Sequence, residues 1–375
     1  MTTPVKHIAL ILGSLRMGGA ERASVNLLNE FVQRGIRCDI VLVNEAGEFL
    51  VELHPEINII SLGKSRTLFS GLALCRYLKK IRPQIIIAGQ THVQLMTLWA
   101  RNRTARHIPV ILNEHSTFSA NHPLDNWKSN LMRKLVSRWF SSADEITAVS
   151  TGVAEDLIKE FPNLQSKVSV VYNPVINESL KAKSLLDVSL PWKKDSEIPF
   201  IIAAGRLVPD KDFKLLVEAV ALVRKEKRVR LLILGEGEER QSLYNLSQEL
   251  GFEDDISLYG YSSNPYALMK HASLFVLSSR REGLPMALIE AMACDLPIVS
   301  TDCPSGPREI LHDGKYGALV PMGEVDSLAK AIFVSLRNQV SFRTSEEAIR
   351  PYFASTVCDK YLELMTTLLS NKAGI

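Results

Sequence analysis

ASLFVLS (Ala272–Ser278), SRREGLP (Ser279–Pro285) and MALIEAMA (Met286–Ala293) follow one another without interruption, and their reading decides the fold. The first is an apolar run of strand length, rich in residues that suit a buried strand. The last consists of good helix formers. Pro285 suits a first helical position, where its missing N–H costs nothing. Strand, short loop and helix in that order form the repeating unit of a parallel α/β sheet. Glu282 falls in the loop and Glu290 inside the helix, too far apart in sequence for a capping box. Two acids so placed can hold two different parts of one elongated ligand.

The same unit recurs on both sides of that stretch. Strands are expected near 5–12, 38–43, 57–61, 85–88, 110–113, 145–149 and 168–171, with helical stretches between most of them. The first of these helices runs from about Ala20 to Arg34 and is closed by Gly35. Residues 174–199 (PVINESLKAKSLLDVSLPWKKDSEIP) then break the rhythm with three prolines and mixed charge, as a linker does. A second series restarts at 200–204 and continues through 229–234, 256–259, 274–277, 298–300 and 318–320. The expectation is α/β with two Rossmann-like, doubly wound domains: 1–180, a linker at 181–197, and 198–345. A helical tail, 346–375, is expected to pack back on the first domain.

Length and composition agree. A chain of 375 residues is too long for one ordinary core. At 46% hydrophobic and 23% charged it is globular in class. No apolar run approaches the ~18 residues that a spanning helix needs, and the five-residue IALIL run reads as a strand, not a signal peptide. Five scattered cysteines with no C-x-x-C pair exclude a zinc ribbon and suit a reducing cytoplasm. Residues 1–183 carry 22 Lys and Arg against 15 Asp and Glu, while the remainder carries 22 against 26. A basic first half suits an anionic ligand or surface.

Ligands of doubly wound sheets bind outside the carboxyl ends of the strands, so chemistry is sought in those loops. GSLRMGG (Gly13–Gly19), followed by Ala20-Glu21-Arg22, sets paired glycines at a helix start. There the backbone can come close to a phosphate or sugar, or simply make a tight turn; the G-x-G-x-x-G dinucleotide spacing is absent. GRLVPDKD (Gly205–Asp212) offers Arg206 and Lys211 as a charge-assisted clamp for a diphosphate, with Asp212 as helix cap. Asp210-x-Asp212 also matches a metal-holding D-x-D pattern. Helix capping accounts for it, and no metal is expected. LGEGE (Leu234–Glu238) is half a dinucleotide fingerprint without its third glycine, which argues against a nicotinamide cofactor. NEHS (Asn113–Ser116) places His115 at a strand end, where it can make a polar contact or relay a proton. Glu114 beside it can tune it or be simply exposed. Finally, Trp127–Phe140 reads as an amphipathic helix. Leu131, Met132, Leu135, Trp139 and Phe140 form its apolar face, and Lys128, Arg133, Lys134 and Arg138 its polar one. Such a helix can lie on an anionic bilayer or pack in a core.

Taken in order, the early GGAER, Gly205-Arg206 with Lys211, and Glu282-x7-Glu290 within EGLPMALIEAMACDLPIVSTD resemble glycosyltransferase family 4 of the GT-B fold. The likeness spans essentially the whole chain, and Cys303–Ile310 (CPSGPREI) resembles the family's loop ahead of the next helix. It implies two Rossmann-like domains facing each other across a cleft. It also implies a retaining, metal-independent enzyme that moves a hexose or N-acetylhexosamine from a nucleotide-sugar, most commonly a UDP-sugar. No cofactor is implied beyond that donor substrate. By the resemblance Glu290 binds the ribose hydroxyls and Glu282 faces the transferred hexose. Arg206 and Lys211 bind the diphosphate, with the backbone at Gly283, Leu284, Pro285 and Met286 completing the cradle. His115 lies near the transferred sugar, and Gly18 and Gly19 let donor and acceptor meet. The expected acceptor is a glycan on a polyprenyl diphosphate. The expected location is cytoplasmic, peripheral at the inner face of a membrane, with no nucleic-acid partner. A silent nucleotide-binding partner subunit and a sugar phosphorylase or nucleotide-sugar epimerase are the alternatives. The intact Arg206, Lys211, Glu282 and Glu290 speak against the silent subunit, and the full E-x7-E with GGAER against the two other enzymes.

Overall fold

A computed structural model of the chain describes residues 4–64, 67–192, 198–338 and 345–373. The chain divides into two compact units, Met1–Val175 with Tyr352–Ile375, and Ile176–Pro351.

The first unit is built on a seven-stranded sheet: β1 (His7–Leu12), β2 (Arg37–Leu42), β3 (Asn58–Ser61), β4 (Ile85–Gly89), β5 (Val110–Glu114), β6 (Glu145–Ala148) and β7 (Val168–Val170). Their order is β3-β2-β1-β4-β5-β6-β7, and every pairing is parallel. Alternation along β1 explains its continuous apolar run. Ile8, Leu10 and Leu12 enter one core with Phe31, Ile40 and Tyr361. Ala9 and Ile11 enter another with Val41, Leu78 and Val136. A strand covered on both faces has no polar side to show. The C-terminal helix Ala354–Ala373 supplies Val357, Tyr361 and Met365 to the first of these cores. The buried Tyr361 hydroxyl lies 3.2 Å from Thr147 Oγ1, and Arg34 Nη1 meets Asp359 Oδ1 at 2.7 Å.

The second unit carries β8 (Phe200–Ala204), β9 (Arg230–Leu234), β10 (Ile256–Gly260), β11 (Leu274–Leu277), β12 (Ile298–Thr301) and β13 (Ala318–Val320). They are ordered β10-β9-β8-β11-β12-β13, again with every pairing parallel. The helices Phe213–Arg224 and Val325–Asn338 cover one face. A short helix, Glu178–Ser184, is capped by Asn177 and bonded to Asn264 through the Lys183 carbonyl. It occupies the start of the expected linker 181–197, whose positions 193–197 lie outside the described residues.

In both sheets the strand order reverses once, between β1 and β4 in the first unit and between β8 and β11 in the second. At such a reversal the loops from neighbouring strands leave in opposite directions and open a crevice at the carboxyl edge. Gly13 and Gln90 stand at the first reversal, Gly205 and Ser278 at the second.

Candidate active site

At the β8/β11 reversal the loops Gly205–Asp212 and Ser278–Pro285 meet. Lys211 Nζ lies 2.6 Å from Glu282 Oε1, and Ser279 Oγ donates to the same oxygen at 2.6 Å. The Glu282 side chain is 7% exposed and that of Lys211 22%, so the pair is largely withdrawn from water. The cation and the first glutamate neutralise each other. Asp212 adopts φ 45°, a left-handed conformation that aspartate tolerates better than most residues, and accepts from Leu215 N at 3.4 Å. It thereby starts the helix Phe213–Arg224 as expected. Arg206 is exposed and has no ion-pair partner among the described residues.

Three hydroxyls hold these loops by their carbonyls. Ser278 Oγ donates to Lys211 O at 2.8 Å, Thr301 Oγ1 to Ser279 O at 2.6 Å and Ser305 Oγ to Gly283 O at 2.9 Å. None of the three donors stands out in the sequence, because a serine or threonine at a strand end (Ser278, Thr301) or in a loop (Ser305) is ordinary. Their roles arise from which strands the topology makes neighbours.

The glycines of Leu234–Glu238 serve packing. A Cβ on Gly237 would lie 2.2 Å from Leu207 O, and one on Gly235 1.9 Å from Gly205 O. The backbones also bond, Leu207 N to Glu236 O at 2.9 Å and Glu239 N to Leu207 O at 3.0 Å. The half fingerprint is thus the seat of the Arg206 loop.

Glu290 is 8% exposed, and its Oε1 accepts from the buried Tyr266 hydroxyl at 3.2 Å. Sequence reasoning passed over Tyr266, which lies 24 residues earlier on the helix Pro265–His271. Pro285 stands one residue ahead of the helix Met286–Ala293, with ψ 91°, and is not its first member. Having no N–H, it donates nothing, so backbone donors in this stretch are confined to Gly283, Leu284 and Met286. Asp210 and Asp212 are engaged by Arg281 Nη2 at 2.6 Å and Arg280 Nε at 2.7 Å. Among the described residues no group of three or more His, Cys, Asp or Glu is placed to hold a metal.

In the first unit, Gly18 precedes the helix Gly19–Gln33, and a Cβ there would sit 2.2 Å from Glu21 Oε2. Glu21 Oε1 accepts from Gln90 Nε2 at 2.7 Å, and Arg22 pairs with both oxygens of Glu52 at 3.2 Å. The GGAER run therefore ties the β1 loop to the β4 loop and to the turn after β2. His115 follows β5; Gly89 at the end of β4 makes room for Leu12, since a Cβ there would lie 2.9 Å from Leu12 Cδ2, and His115 Nε2 lies within ordinary contact of the same position. Burial pushes the His115 imidazole down to about 4, and the nearby Asn173 side chain offsets only part of this. Both ring nitrogens are buried without a well-formed hydrogen bond among the described residues. The ring is consequently neutral at physiological pH, able to donate from one nitrogen and accept at the other. Glu114 is neither exposed nor a partner of His115. Burial raises its carboxyl to about 7, opposed by a hydrogen bond from Gln94.

The helix Trp127–Trp139 turns only part of the expected apolar face inward: Met132, Trp139 and Phe140 reach the core and Leu131 and Leu135 do not. Ser129 and Val136 are buried, and Met132, Trp139 and the following Phe140 pack in the core. Trp127, Leu131 and Leu135 are 70%, 49% and 37% exposed, on a surface that also carries Lys128, Lys134 and Arg138. Arg133 leaves the polar face to bond the His122 carbonyl and Glu160. No helix of the described residues is long and apolar enough to cross a membrane.

Comparison with known proteins accords with this arrangement. The family model described as Glycosyltransferase Family 4 matches residues 17–178, and that described as Glycosyl transferases group 1 matches residues 190–350. The chain is 29% identical over 348 residues to N-acetylgalactosamine-N,N'-diacetylbacillosaminyl-diphospho-undecaprenol 4-alpha-N-acetylgalactosaminyltransferase of Campylobacter jejuni, covering 89% of this chain and 91% of that protein. It is 26% identical over 356 residues to the lipopolysaccharide core biosynthesis glycosyltransferase LpsE of Rhizobium meliloti, covering 93% and 96%. Anabaena HepE, solved in complex with UDP and glucose, superposes with a TM-score of 0.77 at 18% identity over 96% of this chain and 99% of that one. Sucrose-phosphate synthase from Thermosynechococcus elongatus does so with a TM-score of 0.80 at 18% identity, over 98% and 100%. Two parallel sheets of seven and six strands, the paired loops at the β8/β11 reversal and these matches lead to one conclusion: the chain belongs to the GT-B glycosyltransferases of family 4 type.

Proposed function

We propose that the protein transfers a hexose or N-acetylhexosamine from a UDP-sugar to a glycan carried on a polyprenyl diphosphate, with retention of anomeric configuration and without a metal. The observation that carries this reading is the Lys211–Glu282 pair beside the backbone donors of Gly283, Leu284 and Met286, one helix turn and more ahead of Glu290. Lys211 and Arg206 would bind the diphosphate, Glu290 the ribose hydroxyls, and Glu282 the hexose. The relative from C. jejuni bears a diphospho-undecaprenol acceptor in its name, and HepE holds UDP and glucose, which supports the choice of donor and acceptor.

The chemistry follows from where charge develops. The bond between the anomeric carbon and the diphosphate oxygen breaks, and its electron pair stays on that oxygen. Fixed cations and N–H donors stabilise the growing negative charge, and such preorganised stabilisation usually lowers the barrier more than any other single effect. The acceptor hydroxyl attacks the same face of the sugar, and its proton passes to the departing phosphate oxygen. Neutral His115 would bond a sugar hydroxyl. Asp210 and Asp212 are taken up by arginines, which favours cationic side chains over a metal in this role. The exposed Trp127, Leu131 and Leu135 among Lys128, Lys134 and Arg138 would let this unit rest on an anionic bilayer, each cation contributing about 1 kcal/mol.

Purified chain is offered UDP-glucose, UDP-galactose and their N-acetylated counterparts, with prenyl-diphosphate-linked N-acetylglucosamine in vesicles. The expected product keeps the donor's anomeric configuration by NMR, forms equally fast in EDTA, and forms faster on phosphatidylglycerol than on phosphatidylcholine vesicles. An inverted product, loss in EDTA restored by manganese, or indifference to lipid charge would overturn the corresponding part. Tyr266→Phe tests the ribose assignment separately. Loss of one hydrogen bond to a charged group is worth about 1.5–3 kcal/mol at most, so a rise in donor KM of roughly tenfold with kcat little changed is expected. An unaltered donor KM would remove Glu290 from the ribose.

A further inference from the structure

The two loops that meet at the β8/β11 reversal carry seven charged side chains. Gly205–Asp212 holds Arg206, Asp210, Lys211 and Asp212, and Ser278–Pro285 holds Arg280, Arg281 and Glu282. Six of the seven are matched from loop to loop. Beside the Lys211–Glu282 pair, Arg281 Nη2 donates to Asp210 Oδ1 at 2.6 Å with its Nε on the same oxygen at 3.2 Å. Arg280 Nε donates to Asp212 Oδ2 at 2.7 Å. Arg280 N also donates to Asp210 O at 2.8 Å, so the loops are joined by backbone as well. Neither arginine has a part in the diphosphate clamp of Arg206 and Lys211, yet each meets one acid of the Asp210-x-Asp212 run.

Those two acids flank Lys211 in the chain, near enough for their charge to act on whatever Lys211 binds. Asp212 is buried at the mouth of the helix Phe213–Arg224, one oxygen capping Leu215 N and the other held by Arg280. Glu239 brings a further carboxyl to the same place. Burial raises it above its ordinary value, Asp212 and Glu238 raise it further, and Arg280 opposes them. The bond to Asp212 in turn holds the Arg280 guanidinium above its ordinary value. Arg280 therefore answers two acids. Arg280 and Arg281 are 63% and 48% exposed, and ion pairs so exposed add little to folding. Their weight falls on the local field. With them the two loops carry four cations against three acids, and without them two against three. A diphosphate would then approach an excess of negative charge, and like charges brought together cost binding.

We propose that Arg280 and Arg281 are positioning residues for donor binding: by neutralising Asp212 and Asp210 they leave Lys211 and Arg206 as the charges that a nucleotide's diphosphate meets. The inference rests on the reading of these loops as a nucleotide-sugar site and adds to it two residues that act through their acidic neighbours.

Calorimetric binding of UDP and of uridine to the intact chain tests it, with thermal unfolding of the same samples. Arg280→Ala and Arg281→Ala are each expected to weaken UDP by about tenfold, as a newly exposed like charge does. Uridine, which lacks the diphosphate, should bind every variant alike. The deficit should shrink as salt is raised, because exposed charges are screened. Asp212→Asn keeps the helix cap, since asparagine also caps and tolerates a positive φ. It should restore most of the UDP affinity lost in Arg280→Ala, and Asp210→Asn should do the same for Arg281→Ala. A purely structural tie predicts the reverse: a lowered melting temperature, equal loss of UDP and uridine, and no recovery in the paired variants. Any of these last two results would overturn the proposal. Should Arg280→Ala fail to fold, Arg281→Ala with Asp210→Asn carries the test at more exposed positions. UDP binding that neither arginine affects would overturn this inference alone, whereas a wild type that binds no UDP would overturn the donor reading and this inference with it.

Discussion

Lys211→Ala should lower turnover by about 10²–10³, equivalent to roughly 2.7–4 kcal/mol of lost transition-state stabilisation, the scale on which removing one preorganised donor acts. The side chain does two things at one place. It balances Glu282, whose carboxylate is 7% exposed, and it offers the fixed cation on which a departing diphosphate oxygen would rest. With the ammonium gone, Glu282 keeps the Ser279 hydroxyl as its remaining side-chain donor among the described residues and repels the incoming diphosphate. The loss should therefore appear in kcat and in donor KM together. Glu282→Gln removes the repulsion, so the double variant Lys211→Ala/Glu282→Gln should be less impaired than the product of the two single effects, as groups acting as a unit are non-additive. Circular dichroism keeps folding in view. A Lys211→Ala enzyme that is folded and turns over within threefold of wild type would take Lys211 out of the chemistry, and strict additivity would uncouple it from Glu282.

That pair also marks how far the sequence reaches. All thirteen strands lie within two residues of their expected positions; the central ones, such as β1, β4 and β9, are legible because a parallel strand buried on both faces is written largely in Val, Ile and Leu. The topology then puts chemistry at carboxyl ends, which singles out Arg206, Lys211, Glu282 and His115 from loop position. What stays hidden are relations between distant residues. Lys211 and Glu282 stand 71 positions apart, and their contact depends on β8 and β11 being neighbours. Tyr266 reaching Glu290 and the three hydroxyls pinning loop carbonyls are of the same kind. The helix Trp127–Trp139 shows a second limit. It carries two apolar stripes, Trp127-Leu131-Leu135 and Met132-Val136-Trp139, and helical periodicity cannot say which of them the core receives. Packing beneath Phe118 and Phe140 chose the second.

A different large effect concerns stability and comes from the opposite end of the first sheet. Asp39 on β2 is 1% exposed. Burial alone would raise its carboxyl, but the donors around it outweigh that and leave it at about 2. Tyr77 OH donates to Oδ2 at 2.6 Å, His7 Nε2 lies 3.0 Å from the same oxygen, and Asn58 Nδ2 donates to Oδ1 at 3.0 Å. Asp39→Ala would leave the buried Tyr77 hydroxyl and the largely buried His7 ring without their acceptor, a loss of about 3–5 kcal/mol when one partner of such a cluster is removed. The pH dependence has a definite sign. A folded-state value of about 2 against an ordinary 3.8 contributes roughly 2 kcal/mol above pH 4, and that contribution disappears as pH falls through 2. Three of the four tryptophans, Trp99, Trp127 and Trp139, belong to this unit, so fluorescence-detected urea unfolding reports on it. Wild type should lose midpoint between pH 4 and pH 2 more steeply than Asp39→Ala, and the two should converge at the acid end. Asp39 pairs with Asn58 at the amino-terminal start of β3, whereas the reacting loops leave carboxyl ends. The folded fraction of Asp39→Ala at low temperature should accordingly show an ordinary donor KM. Parallel unfolding curves at every pH would show that the cluster contributes nothing, and a changed KM in the folded variant would tie it to the site.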